Sequence, residues 1–329
     1  MWTDFDSSLA HIQDVESELL LCRLYGLSDL SAKEEARLHD AWGHIQVRRR
    51  RHTMRALIEL TESSFLVDFR TVFRLCLDDE DGEVRALAIN GLWEDRDRHL
   101  VSLLIRLLGE DPVPEVRAAA AMALGNSVLR GELENWAQAT RVREALFETL
   151  ASSRELLEVR RRILESLAYA SDERVPALIE AAYCDEEAKT RVSALFAMGR
   201  SADPRWGPIV LQELHSSDPE MRYEATRACG ELQLVQAVPI LKELSHDPDR
   251  EVQESAIWSL GQIGGPQARR TLEACYEQAD ESIREAIEEA LADLSLSDES
   301  FGLAYHELLD DELQDLADLE ERCFHKRGK

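Results

Sequence analysis

The sequence MRYEATRACG at residues 221–230 is followed 31 residues later by VQESAIWSLG at residues 252–261 and preceded 31 residues earlier by TRVSALFAMG at residues 190–199. In each copy, apolar residues fall on one side of a helix at about 100° per residue, counted from the Arg or Gln that we call the anchor. A small residue lies three positions after the anchor, and a glycine lies eight positions after it. The pattern predicts a fold built from repeated amphipathic helices.

The repeat extends over most of the chain. Successive anchors lie 32, 43, 31, 31, 31 and 31 residues apart, and the long interval indicates an insertion at residues 131–140 that contains Trp136. We expect this insertion to lengthen a helix or a loop. Second apolar segments lie between the anchor helices, so each repeat is predicted to be a helical hairpin that buries its apolar face only by stacking on its neighbours. The anchors are Arg85, Arg117, Arg160, Arg191, Arg222, Gln253 and Arg284.

Capping signals delimit the predicted helices. Asp111-Pro112, Asp218-Pro219 and Asp247-Pro248 each place a capping carboxylate before a proline at the first helical position. The glycine eight positions after the anchor suits a helix end. Ser31-Ala32-Lys33-Glu34 is a capping box that would open an earlier, more degenerate hairpin, with Val47 to Leu60 as its second helix and Arg51 as its anchor.

The phrase Asp-Pro-x-x-x-x-Arg-x-x-Ala-x-x-x-Leu/Met/Cys-Gly resembles the HEAT repeat, in the short bacterial form named after phycobilisome-lyase subunits. Its clear copies cover residues 78–295. The resemblance implies an all-α fold, a right-handed α-α superhelix of roughly seven to eight helical hairpins with the second helices on its concave side. It implies no single activity, because this fold hosts scaffolds, adaptors and some enzymes.

The repeats divide the chain into three expected segments. Residues 1–30 are predicted to be an N-terminal cap whose helix runs from Ser7 to Tyr25 and ends at Gly26. Residues 31–295 would form the HEAT-repeat solenoid. Residues 296–329 are predicted to be an acidic C-terminal helix with a short basic tail. This helix would either cap the stack with a polar face, fold over the groove, or bind a basic partner.

Charge and composition restrict the partners and the compartment. The net charge of −27 disfavours nucleic acid and anionic membranes and favours a cationic partner. No stretch reaches the roughly 18 to 20 apolar residues of a membrane span. The acidic N-terminus is unlike a secretory signal, and the six scattered cysteines contain no Cys-x-x-Cys pair. We therefore predict a cytoplasmic protein with reduced thiols and neither a nucleic-acid nor a membrane partner.

Motifs of catalysis and cofactor binding are missing from the sequence, so we predict no catalytic residue, no cofactor and no metal. The arginines of Arg48-Arg49-Arg50-Arg51 point in different directions around a helix and predict solvated ion pairs rather than phosphate binding. Deoxyhypusine hydroxylases, which are HEAT-repeat di-iron enzymes, use several His-Glu dipeptides as ligands. This chain has one, His306-Glu307, outside the repeats, which argues against that activity. An enzyme or enzyme subunit related to phycobilin lyases remains the alternative, although no local motif supports it.

The positions one, five and nine after each anchor face away from the predicted core, and the family architecture places them on the concave side. Aromatic residues and Arg at such positions are typical of protein interfaces. We therefore predict a non-enzymatic protein-protein interaction scaffold that binds a basic protein or peptide in its concave groove. Packing of some of these residues against neighbouring helices is the competing interpretation. The candidate protein-binding residues are Trp258, Phe196, Tyr223, Tyr169, Met122, Arg200 and Arg227.

The anchor arginines have a structural interpretation. The resemblance implies that they tie adjacent repeats to turn carboxylates. Exposed pairs of this kind contribute about 0 to 1 kcal/mol each, so we expect them to set the register of the stack rather than to bind a ligand. The candidate carboxylates are Asp81, Asp111, Asp185, Asp218 and Asp280.

Overall fold

The computed structural model describes residues 3–295 apart from 96, 153–154 and 278. Within these residues every regular element is a helix and no strand occurs, which confirms the all-α prediction. The chain divides into two compact units, residues 1–197 and 198–329. The acidic helix predicted within residues 296–329 lies outside the described residues.

The first unit contains a succession of helices joined by short turns, together with two 3-10 turns, Leu21–Arg23 and Tyr25–Leu27. Its helix α11 ends in the second unit. The helices are α1 (Phe5–Gln13), α2 (Ala32–Trp42), α3 (Val47–Ser63), α4 (Arg70–Cys76), α5 (Gly82–Gly91), α6 (Arg98–Glu110), α7 (Pro114–Glu134), α8 (Trp136–Leu150), α9 (Leu157–Leu167), α10 (Val175–Tyr183) and α11 (Ala188–Arg200).

The second unit continues in the same manner, with 3-10 turns at Pro204–Trp206 and Val235–Ala237. Long anchor helices alternate with shorter helices, as the repeat predicts. The helices are α12 (Gly207–Glu213), α13 (Pro219–Glu231), α14 (Val238–Leu244), α15 (Arg250–Ile263), α16 (Gly265–Tyr276) and α17 (281–295).

Anchor helices of successive repeats pack against one another. In the second unit α13 contacts α15, and in the first unit α5 lies between α3 and α7. The small residues three positions after the anchors, such as Ala225 and Ala256, are fully buried between these helices. Small side chains therefore allow the close approach that stacking requires.

The repeated glycines have a different role from the predicted one. Gly199 and Gly230 lie inside α11 and α13, each one residue before the helix ends, so they do not form left-handed helix caps. A Cβ atom on Gly230 would lie 2.9 Å from the Cα of Ser259 on the next anchor helix. These glycines lie beside the helix ends, as the sequence predicts, but the fold needs their lack of a side chain for helix packing and not for a left-handed cap.

Two of the three predicted Asp-Pro caps are wrong. Asp218 does cap α13, since its carboxylate accepts a hydrogen bond from the Glu220 N–H and Pro219 is the first helical residue. Asp111 and Asp247 each lie two residues further from the start of their helix than Asp218 does. Their carboxylates accept hydrogen bonds from an arginine of the preceding anchor helix. The capping box at Ser31 is confirmed.

The predicted helix from Ser7 to Tyr25 is wrong in its length. Helix α1 ends at Gln13, because the Asp14 carboxylate accepts hydrogen bonds from the backbone N–H groups of Glu16 and Ser17 and so stabilises a turn in place of the helix. The following segment returns towards α1, where the Leu20 N–H donates to Nε2 of His11.

The insertion extends a helix. Helix α7 continues to Glu134, well past Gly125, whereas α11 and α13 end one residue after the equivalent glycine. Asn135 then caps α8 by accepting a hydrogen bond from Gln138 N–H, so that Trp136 is the first residue of α8.

Candidate functional site

Three anchor arginines, Arg85, Arg117 and Arg222, form largely buried links between repeats, which corrects their prediction as exposed pairs. Arg160 and Arg284 are exposed, and Arg191 donates to carbonyl oxygens of its own turn. Nε and Nη2 of Arg85 donate to the two carboxylate oxygens of Asp111, each at 2.8 Å, and Nη1 donates to the Asp79 carbonyl oxygen at 2.7 Å. Arg117 repeats this arrangement with the Asp111 carbonyl and the carboxylate of Glu155. The turn residue Asp111 therefore accepts hydrogen bonds from Arg117 of its own repeat and from Arg85 of the preceding repeat.

The second unit uses the same device. Arg222 binds both carboxylate oxygens of Asp247 at 2.8 and 2.9 Å, and Gln253 donates to the carbonyl oxygen of Asp247. Burial by itself raises the pKa of Asp247, but hydrogen bonds from Arg222 and from the Asp249 N–H outweigh it and hold the pKa below its usual range. These arginines are already satisfied, so they set the register of the repeats.

Two of the five predicted carboxylate partners accept a predicted anchor arginine, and the other three do not. Asp81 and Asp111 do accept arginines, Arg51 and Arg85. Asp280 accepts Arg250, which is not an anchor, while the carboxylates of Asp185 and Asp218 accept backbone N–H groups of their own turns.

Two members of the arginine cluster in α3, Arg49 and Arg50, are buried, so the prediction of solvated ion pairs is wrong for them. Arg49 donates to the carbonyl oxygens of His11 and Ser17. Arg50 lies against Asp79, whose carboxylate also accepts the indole N–H of Trp42. Both arginines stabilise the N-terminal repeats, where they are inaccessible to a phosphate.

Two predicted site residues, Trp258 and Tyr223, belong to the second unit. Trp258 is exposed, and its ring lies over Gly230, with Cζ3 at 2.9 Å from the point where a Cβ on that glycine would be. Tyr223 is half-buried, and burial raises the pKa of its phenol. Trp258 therefore offers an accessible ring, while Tyr223 is partly used in packing.

Arg200 and Arg227 are engaged by carboxylates. Both form ion pairs with Oε1 of Glu231, at 3.2 and 3.0 Å, and Arg227 also binds Glu224 at 3.1 Å. Burial raises the pKa of the Glu231 carboxyl, although the two arginines oppose that effect. This network joins α11 to α13 and keeps both arginines occupied.

The other predicted residues lie in the first unit. Phe196 and Tyr169 are half-buried, whereas Met122 on α7 is 49% exposed. The equivalent position on α9, Glu165, is buried and accepts a hydrogen bond from the Ser193 hydroxyl at 2.6 Å. The prediction of a solvent-facing position is thus wrong for Glu165, because α9 packs this carboxylate against α11.

Met122 lines a cleft of about 540 Å³ formed by α3, α5 and α7, which we call the Trp93 cleft. Trp93, just after the end of α5, is 53% exposed there. Ile58 and Leu87 add apolar surface to the walls. The lining residues are Arg55, Ile58, Thr61, Glu62, Leu87, Ile89, Asn90, Gly91, Trp93, Met122, Ala123 and Asn126.

A second depression of about 420 Å³ shares Trp93 and Asn126 with this cleft. It is lined in addition by Glu94, Leu129 and Arg130. Leu129 is exposed, so the apolar surface continues along α7. The first unit therefore has a connected surface in which an aromatic ring, a thioether and an aliphatic side chain are accessible.

Sequence reasoning missed Trp93. It occupies the position eight residues after anchor Arg85, where four other repeats have glycine. Helix α5 ends at Gly91, so Trp93 lies in the following turn and not on the helix face that the repeat pattern defines. The replacement of a repeated glycine by tryptophan was a visible signal.

Two further kinds of site concern the described part of the chain, a membrane span and a metal centre. None of its helices combines the length and apolar character needed to cross a bilayer. Across the same residues, no group of three or more His, Cys, Asp or Glu side chains is arranged to hold a metal ion.

The family model for HEAT repeats matches residues 71–134 and 207–292. These two stretches are HEAT repeats, which confirms the resemblance inferred from the repeated phrase. The first stretch contains α5, most of the Trp93 cleft and its Met122. No curated protein matches the chain.

Solved structures similar to this chain are distant. The CpcE–CpcF complex of phycocyanin lyase from Nostoc sp. PCC7120 is 18% identical, with a TM-score of 0.47, over 84% of this chain and 94% of that chain. Importin beta is 15% identical, with a TM-score of 0.45, over 87% and 46%. Human deoxyhypusine hydroxylase is 19% identical, with a TM-score of 0.36, over 80% and 98%. Similarities at this level assign neither an activity nor a partner to the chain.

Proposed function

We propose that the protein is a non-enzymatic interaction scaffold that binds a basic protein or peptide. One observation carries the proposal: the exposed side chains of Trp93 and Met122 share one cleft between repeats. Aromatic anchors that enter or line clefts contribute a large share of the energy of protein interfaces. The Trp93 cleft thus takes the role that the sequence assigned to Trp258, Phe196 and Tyr223. These residues remain separate candidates, Phe196 in the first unit and Trp258 and Tyr223 in the second.

The charge of the chain supports a basic partner. A net charge of −27 attracts a cationic protein at a distance and accelerates encounter. Within the cleft, Arg55 is ion-paired with Glu83, so its charge is compensated. We therefore expect the association rate to fall as salt is raised, since ionic strength screens this attraction.

The magnitude at Trp93 follows from its exposure. Aromatic side chains bury about 150–250 Å² each, so covering the accessible 53% removes roughly 80–130 Å² from water. At about 25 cal/mol per Å² this contributes roughly 2–3 kcal/mol. The substitution Trp93→Ala should then weaken binding by about 30- to 150-fold.

The test uses the native partner. Full-length protein would capture it from extract of the source organism, after which the purified partner would be titrated against each variant. Trp136→Ala is the matched control, because Trp136 is 56% exposed in the same unit but lies outside the cleft. Unchanged affinity in Trp93→Ala would refute the site. Loss only in Trp258→Ala would favour the second unit, and loss only in Phe196→Ala would favour a different part of the first unit. A visible absorption band in the purified protein would contradict the non-enzymatic assignment and favour a lyase-type subunit.

A further inference from the structure

Two carboxamides line the Trp93 cleft. Asn90 is exposed on α5, and Asn126 is half-buried on α7. Among the side chains that the structure describes, neither carboxamide has a hydrogen-bond partner. A carboxamide both donates and accepts, and one residue of an extended segment presents its N–H and its C=O to the same side. Each asparagine can therefore bind both backbone polar groups of one residue.

This chemistry selects an extended ligand. A helix satisfies its backbone groups internally, whereas an extended segment presents them along its edges. Packed helices lie roughly 8–10 Å apart, and a strand rises about 3.3 Å per residue. Asn90 and Asn126, on adjacent packed helices, would therefore address residues of the ligand that lie about two to three positions apart.

The charges in the cleft define the ligand further. Arg55 is neutralised by Glu83, whereas Glu62, at the end of α3, has no ion pair within the described residues. In the adjoining depression Glu94 and Arg130 carry opposite charges. The charge left uncompensated in the Trp93 cleft is therefore negative, and it complements a Lys or Arg of the ligand.

We propose that the Trp93 cleft binds an extended peptide whose backbone is held by Asn90 and Asn126. An apolar side chain of the peptide packs on Trp93 and Met122, and a neighbouring Lys or Arg faces Glu62. This inference rests on the proposed function and specifies the form and sequence of the partner segment. It assigns backbone recognition to the two asparagines, which the aromatic anchor alone does not require.

The probe is a random 12-residue peptide library displayed on phage and selected against the full-length protein. We expect the enriched peptides to share an apolar residue beside Lys or Arg. For a synthetic peptide of the enriched sequence, Asn90→Leu and Asn126→Leu should each weaken binding about tenfold, the loss of up to two hydrogen bonds. Glu62→Gln should remove the preference for a basic residue.

Two controls separate backbone recognition from general damage. Gln262→Leu removes an exposed carboxamide in the second unit and should leave binding unchanged. N-methylation of the peptide should weaken binding at the positions that face the asparagines, and the same methylation should cost nothing further in the matching Leu variant. Circular dichroism checks that each variant keeps its helices.

The outcomes distinguish the two proposals. Peptides that depend on Trp93 but tolerate both Asn substitutions and N-methylation would overturn this inference while the proposed function stands. Tighter binding after a peptide is locked into a helix would also overturn it. Failure to enrich any peptide dependent on Trp93 overturns the extended-peptide proposal, and the titration of the native partner then decides whether the cleft binds a folded surface.

Discussion

Replacing Arg222 by methionine should destabilise the second unit far more than the same replacement at Arg250. Both arginines pair with an aspartate of a following turn, Asp247 and Asp280 respectively. The side chains of Arg222 and Asp247 are 14% and 5% exposed, whereas those of Arg250 and Asp280 are 41% and 62% exposed. Methionine keeps an unbranched apolar stem of similar length, so the comparison isolates the charge and its hydrogen bonds.

The expected loss at Arg222 can be bounded from its surroundings. Breaking a deeply buried ion pair by removing one partner costs about 3–5 kcal/mol, because a charge stays buried without compensation. After the loss of Arg222, Asp247 keeps a hydrogen bond from the Asp249 N–H, which stabilises its charge in part. We therefore expect about 2 kcal/mol for Arg222→Met, and no measurable loss for the exposed pair.

Native-state hydrogen exchange provides the assay, because it reports the stability of individual helices. Amides of α13 and α15 should lose about 30-fold protection in Arg222→Met and keep it in Arg250→Met. The folded pKa of Asp247 is lowered, so the contribution of its pair is present above the unfolded pKa and is lost as pH falls through the folded value. The difference between variant and wild type should shrink correspondingly below about pH 4. Equal losses in the two variants would refute the role given to the anchor arginines.

Two further predictions concern packing and pH. Gly230→Ala should destabilise the second unit by about 1–3 kcal/mol in urea unfolding, because its Cβ would overlap Ser259. Gly109→Ala, whose Cβ meets nothing within 4 Å in α6, should stabilise by about 0.5–1 kcal/mol, and a loss of stability there would contradict the packing argument. A hydrogen bond from Arg174 lowers the pKa of Asp172 to about 2, so Asp172→Asn should destabilise the first unit above about pH 4. In acid titrations of unfolding this effect should disappear as pH falls towards 2, and a constant difference would contradict it.

The repeat was predictable from the sequence because its signals are local. Apolar periodicity depends on residues within one helix. The regular spacing of the anchors defines the helical hairpins without reference to any contact between them. The Ser31 capping box likewise involves residues three apart and is present as predicted. The glycines were misread because their role depends on the neighbouring helix: Gly230 faces Ser259, which is distant in sequence.

The site was less predictable for the same physical reason. Exposure at a given helical position depends on what the adjacent repeat places against it, so Met122 is accessible while Glu165 is buried. Arg49 is buried because the N-terminal segment brings the carbonyls of His11 and Ser17 to its guanidinium. The Trp93 cleft needs three helices and one turn, and periodicity within a single helix does not describe such a surface.

The shared turn residues have a consequence for how the length of this chain can change. Asp79 and Asp111 make the same kinds of contact. The carboxylate of each accepts a hydrogen bond from one arginine, Arg50 and Arg85 respectively, and the carbonyl oxygen of each accepts one from another arginine. Excising one whole module between them would bring Arg50 to a carboxylate of the same kind. A deletion of half a module would leave a buried guanidinium without its acid. Gain or loss of complete modules is therefore the route by which such a protein can grow or shorten while each junction stays intact.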